Sequence, residues 1–258
     1  MFDWSVALAV GLAALGTSFL SGVFGMVGGL VLMGILLIFL PVPAAMTLHA
    51  ITQMTANGWR AAVWHKSIMW RVLPGYLLGS ALVFAVLALV QFSPPKPWVF
   101  LCLGLMPFAA RLLPRAHAPE IRRRGAPMFV GALVMCLHVL AGVSGPVLDM
   151  FFLAKDLDRR VVVATKAMTQ SVGHAIKFAY FTFVAVAPLN LDPNLAGRAL
   201  DVPLWVYLMA ASLAICGTTL AKPVLHRFSN DAFQTWSRRL VLAVGAIYLA
   251  QGAIGLLP

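Results

Sequence analysis

Two clusters of polar residues interrupt an otherwise apolar chain. His49, Gln53, Asn57 and Arg60 stand four, four and three residues apart, and Lys166, Gln170, His174 and Lys177 repeat the spacing. On a helix these intervals bring each set of side chains to one face. Thr52 and Thr169 lie one position aside in the respective sets. The sets offer cations, amides, hydroxyls and imidazoles, and neither contains a carboxylate. Such donors suit a small anion, particularly a tetrahedral or pyramidal oxyanion that accepts hydrogen bonds from several directions. The competing reading is a hydrogen-bond network that only glues helices together. Arg60 and Lys177 sit towards the ends of their apolar stretches, where a long cationic side chain can snorkel to an interface.

The two clusters belong to a longer internal correspondence. A shift of 117 residues lays Gly25-x-x-Gly28 on Gly142-x-x-Gly145 and residues 49–53 (HAITQ) on 166–170 (KAMTQ). In that register Asn57 meets His174, Arg60 meets Lys177 and Ser21 meets His138. Opened turns at the glycines would add free backbone N–H groups and positive helix N-termini. The candidate substrate site is therefore His49, Thr52, Gln53, Asn57, Lys166, Thr169, Gln170 and His174, with Gly25, Gly28, Gly142 and Gly145. His138 and Asp149 are candidates for proton coupling, and Asp149 is equally a structural partner for Lys166. His65, His117 and His226 lie in or beside basic loops and read as solvated.

These residues need elements to hold them, and composition says which kind. The 258 residues are 61% hydrophobic and 10% charged, with a mean hydropathy of +0.91. Soluble domains carry about 45–50% apolar and about 25% charged residues. Lipid must be the solvent, so the fold class is an all-α integral membrane protein. Apolar stretches run at 5–27, 28–40, 44–63, 73–90, 98–113, 127–154, 161–187, 202–221 and 240–257. The 28–40 stretch is short of the roughly 20 residues a span needs, follows a glycine cluster and ends at Pro41 and Pro43. It reads as half of a broken or re-entrant helix.

The net charge of +11 does not indicate nucleic acid. The basic residues gather in short loops, at 60–71, 111–124 and 222–239, which is the positive-inside pattern. The termini and the loops at 91–97 and 188–201 are poor in basic residues and are expected outside. The mixed-charge loop at 155–160 reads as the tip of the second broken element. The organisation expected is a first membrane repeat (1–113), a basic cytoplasmic linker (114–126) and a second repeat (127–258) of opposite topology, forming one membrane domain. Inverted repeats with broken helices are a secondary-transporter architecture. The N-terminus lacks the basic start of a cleaved signal peptide. Cys102, Cys136 and Cys216 are isolated and read as small buried hydrophobes, so no metal site, disulfide framework or cofactor is expected. No phosphate-binding G-x-x-x-x-G-K-[ST] loop is present.

Residues 20–29 (LSGVFGMVGG) with the helix at 41–58, and AGVSGP at 141–146 with VATKAMTQ at 163–170, resemble the sulfite exporter TauE/SafE family. The resemblance covers essentially the whole chain. It implies a bacterial inner-membrane transporter, not an enzyme, moving sulfite, sulfonates such as sulfoacetate or related sulfur-containing anions. The expected partners are a small anion and the bilayer, with room for a homo-oligomer. Two other readings stay open: a haem or redox protein using His49, His138 and His174, and a non-transporting anchor subunit.

Overall fold

The computed structural model describes residues 3–25, 27–112, 119–152, 157–185, 202–225 and 230–257. These form helices, with no strand among them: α1 (Trp4–Phe24), α2 (Val27–Phe39), α3 (Val42–Val63), α4 (Leu73–Val90) and α5 (Lys96–Leu112). There follow α6 (Ala126–Leu140), α7 (Gly145–Leu148), α8 (Arg159–Ala179), α9 (Leu204–Leu225) and α10 (Asn230–Ile254). The expected loop at 188–201 lies outside the described residues, as do 155 and 156 of the mixed-charge loop, the start of the linker, His117 and His226; Arg159 and Arg160 of that loop already belong to α8.

Local chemistry accounts for several boundaries. Asp3 caps α1 by accepting the Ser5 N–H at 3.0 Å, and Asp158 caps α8 by accepting the Arg160 N–H at 2.7 Å. Proline in the first turn starts α3, α4 and α6, where its missing N–H costs nothing. Gly25 (φ 70°) ends α1 and Gly142 (φ 75°) follows α6, both in the left-handed region that side chains disfavour. The basic segment at 222–239 is more helical than expected, because α10 begins at Asn230 and carries Arg238 and Arg239 in its first turns.

The outer surface is as apolar as the interior. On α1, Trp4, Leu8 and Leu12 are 76%, 64% and 62% exposed, while Ala7, Val10 and Ala14 on the opposite face are buried. Only hydrocarbon makes such a surface stable. Among the described residues three helices, at Trp4–Phe24, Trp70–Val90 and Leu204–Val224, are long and apolar enough to cross a bilayer. All seven tryptophans lie exposed near helix ends. Trp4, Trp98 and Trp205 stand at the starts of α1, α5 and α9, and the rings of Trp4 and Trp205 are 5.1 Å apart. Trp59, Trp64, Trp70 and Trp236 gather at the end reached by the C-terminus of α3 and the start of α10. Two such aromatic girdles mark the interfaces of a multi-pass membrane protein. Cys216 faces this outer surface rather than the core, while Cys102 and Cys136 are half-buried.

Helices pair closely as α1 with α9, α3 with α8, α4 with α6 and α5 with α10. Lipid gives helices no hydrophobic drive to associate, so close backbone approach supplies the attraction. At the α4–α6 contact a Cβ on Gly79 would stand 1.9 Å from the Met128 carbonyl oxygen, and one on Gly131 2.0 Å from that of Tyr76.

Candidate functional site

The two polar faces meet because α3 and α8 run antiparallel against each other. Lys177 Nζ is 2.9 Å from His49 Nδ1, Ser171 donates to the Met54 carbonyl at 3.0 Å, and the Met69 N–H donates to Thr165 at 3.0 Å. Met54 and Ser171, at the centre of this contact, are separated by 117 residues, the offset of the sequence correspondence.

A cavity of about 1450 Å³ opens beside this helix pair. His49, Gln53, Asn57 and Arg60 line it from α3, and Lys166, Gln170 and His174 from α8. Gly25 and Gly145, from the two glycine turns, also reach it, with Gly29 and Ser144 beside them. Among the described residues four cations (Arg60, Arg111, Lys166, Arg238) and one carboxylate (Asp149) face the space, so its charge favours an anion. Arg111 and Arg238 were not singled out from the sequence. Arg111 lies in the last turn of α5 and Arg238 in the third turn of α10, both in basic segments, and only the folding of these helices turns them towards the cavity.

Not every candidate lines the cavity. Thr52 turns its hydroxyl back to the Leu48 carbonyl at 2.8 Å, and Thr169 bonds the carbonyls of Thr165 and Lys166. Gly28 packs against α1, where a Cβ would stand 1.8 Å from the Thr17 carbonyl oxygen. Gly142 sits under Met33 and Met46 and accepts Lys177 through its carbonyl at 2.9 Å. His138 is buried behind the cavity wall, bonded to Ser144 at 3.0 Å and stacked on His174 with ring centroids 4.4 Å apart.

Lys177 departs from expectation, and Asp149 takes the second of the two places open to it, as partner of Lys166. Lys177 does not snorkel: it is fully buried, held by His49 and the Gly142 carbonyl. The polar face of α8 does acquire a carboxylate, since Lys166 is ion-paired with Asp149 from the short turn after α7. The pair is open to the cavity, with 20% of the lysine and 48% of the aspartate side chain exposed. Arg60 holds its expected place near the end of α3 and reaches Asn57 and the Ser21 carbonyl at 3.4 Å each. His65 is exposed.

Polar satisfaction differs along the two faces. The Asn57 amide donates to the Gln53 carbonyl at 2.9 Å and His49 Nε2 bonds the Gly29 carbonyl at 2.9 Å, as scaffold residues do. Gln53 Nε2 and His174 Nδ1, by contrast, are buried without a hydrogen-bond partner among the described residues. Both residues face the cavity. A buried polar group left unpaired costs about 1–3 kcal/mol, which a ligand in the cavity would offset.

Comparison with known proteins agrees with this geometry. Searches among curated proteins and among solved structures found no match. The family model described as "Sulfite exporter TauE/SafE" matches residues 10–249, nearly the whole chain. That family comprises membrane transporters of sulfite and related anions rather than enzymes. An all-helical membrane protein with a cation-lined cavity and this match belongs to the sulfite exporter TauE/SafE family.

Proposed function

We propose that the chain is a secondary transporter that carries small sulfur-containing anions, such as sulfite and short sulfonates including sulfoacetate, across the bacterial inner membrane by alternating access. The observation that carries this reading is the cavity itself: both polar stripes converge there and, among the described residues, cations outnumber carboxylates and the buried Gln53 Nε2 and His174 Nδ1 of its lining have no partner. A pyramidal or tetrahedral oxyanion offers acceptors to Lys166, Gln53, Gln170 and His174 from different directions.

The same geometry supports two inverted repeats, 1–113 and 127–258, joined by a basic linker. Helices equivalent under the 117-residue shift pack on each other (α3 on α8), and each half's first helix packs on a late helix of the other half (α1 on α9, α6 on α4). Arg60 and Lys177, equivalent in that register, both donate to carbonyls beside the glycine turns. The cavity mouth carries Arg60, Arg111 and Arg238, the basic end of the molecule, so this state faces the cytoplasm by the positive-inside rule. Both termini are then periplasmic. Fusions of side-selective reporters at Pro258 and in the 114–126 linker are expected to report opposite sides; a cytoplasmic Pro258 overturns the inverted topology.

The functional test is binding and uptake. Sulfite or a short sulfonate is expected to raise the melting temperature of the detergent-solubilised protein more than chloride at equal ionic strength. A ligand specific for the folded state adds about 2.7 kcal/mol at a hundredfold excess over Kd. Equal shifts with chloride, together with no uptake into proteoliposomes, would refute the reading.

A further inference from the structure

The two cations that occupy equivalent positions differ in a way that matters chemically. Arg60 lies at the cavity and keeps its proton in any protein setting; Lys177, its counterpart, is sealed and carries a proton that an amine can release. No carboxylate contacts Lys177 among the described residues. Its Nζ bonds His49 Nδ1 and the Gly142 carbonyl, each at 2.9 Å. His49 in turn lines the cavity, so one imidazole ring connects the sealed amine to the space where the anion binds.

The surroundings of Lys177 are titratable on every side. His49 approaches from α3, His174 from its own helix and His138 from α6, while the Tyr76 hydroxyl of α4 lies against Gly173, one turn away. The His49 and His174 rings are 5.4 Å apart, edge to face, and His174 has the unpartnered Nδ1 noted above. A structural lysine would be expected against an acid; here the acid is replaced by bases and a backbone carbonyl. Ionisable groups inside a membrane protein commonly mark proton paths.

Resting on the transport reading above, we infer that Lys177 is the proton-binding site that couples anion movement to proton movement, with His49 as its relay to the cavity. An anion in the cavity places negative charge near the cluster and favours the ammonium. An empty cavity leaves a sealed cation uncompensated and favours the neutral amine. The transfer conserves its proton: Nζ gives one N–H proton to His49 Nδ1, and the Nε2 proton of that ring passes to cavity water as its bond to Gly29 yields. Reloading reverses both steps. Anion and proton therefore cross in the same direction. Lys166, at the cavity, binds the anion, and Lys177 carries the proton.

The test uses purified protein in liposomes containing a trapped pH-sensitive dye. A short alkanesulfonate is the probe, because its own charge does not titrate in the working range. In the wild type, sulfonate entry is expected to acidify the lumen in step with uptake, and an acidic exterior to drive accumulation above the external concentration. Lys177→Gln and Lys177→Arg are both expected to abolish acidification and gradient-driven accumulation while exchange of labelled for unlabelled sulfonate continues. The arginine keeps the charge and loses only the releasable proton, so it separates proton binding from electrostatics. Wild-type sulfonate flux that ignores the pH gradient overturns the coupling and leaves the transport reading standing. Coupled flux in folded Lys177→Arg moves the proton site away from Lys177. Wild-type protein that moves neither sulfonate nor sulfite refutes the transport reading, and the coupling with it.

Discussion

Lys166→Gln is expected to weaken anion binding by more than about tenfold and to abolish uptake, with little change in melting temperature. A hydrogen bond to a charged partner contributes about 1.5–3 kcal/mol, and the lysine is the cation best placed between Gln170 and Asp149 to supply it. The structure shows Asp149 already on Lys166, so the aspartate acts as an internal competitor for the incoming anion. A partly exposed ion pair is worth up to about 1 kcal/mol. Asp149→Asn should therefore tighten anion binding, by up to about fivefold on that scale, and the double variant should remain as weak as Lys166→Gln alone. A pair that serves only to hold the fold gives the opposite pattern: Lys166→Gln lowers the melting temperature, and adding Asp149→Asn restores both stability and uptake. Titration calorimetry with sulfite and melting curves of the three variants separate the outcomes.

Gly28→Ala is expected to be the most damaging small change in the chain, and Gly25→Ala, three residues earlier, a mild one. A Cβ at position 28 would overlap the Thr17 carbonyl oxygen at 1.8 Å and approach the Ser21 backbone nitrogen at 2.7 Å. Both atoms belong to the backbone of α1 and cannot rotate aside, so α2 must move off α1. Overpacking costs about 1–3 kcal/mol where side chains can adjust, and more is expected where they cannot. At position 25 no atom lies within 4 Å of the added carbon, and only the left-handed φ of 70° opposes it. With ψ at −116° the residue lies outside the left-handed helical well, and that strain is about 1–3 kcal/mol. Expression level and melting temperature of the two variants would show it. Equal losses would mean that backbone conformation, not the α1–α2 contact, is the reason for these glycines. The same comparison moves Gly28 out of the binding set and into the scaffold.

The order of residues carried most of the polar lining of the cavity. His49, Gln53, Asn57 and Arg60 line one cavity, with Lys166, Gln170 and His174 opposite, because helical periodicity is a local property legible in four-residue steps. Residence in lipid was equally legible, since it depends on composition alone. Gly25 and Gly142 both have positive φ, which explains the residue type at those two positions. Thr52 and Thr169 stand beside the polar faces and Gly28 belongs to the repeated glycine motif, yet each is committed to its own helix or to a neighbour.

What sequence could not decide was which residues a helix face meets. Periodicity says that Lys177 shares a face with His174; it does not say that α3 and the Gly142 turn close over that end of the face and seal the amine. Asp149 and Lys166 are brought together by the break after α6, and Arg238 reaches the cavity because α10 begins ten residues before its apolar run. Side-chain direction along a helix follows from local geometry, whereas the surroundings of that side chain depend on which distant backbone lies across it. In this protein the first was determined by the order of residues, and the second by the antiparallel docking of α3 on α8.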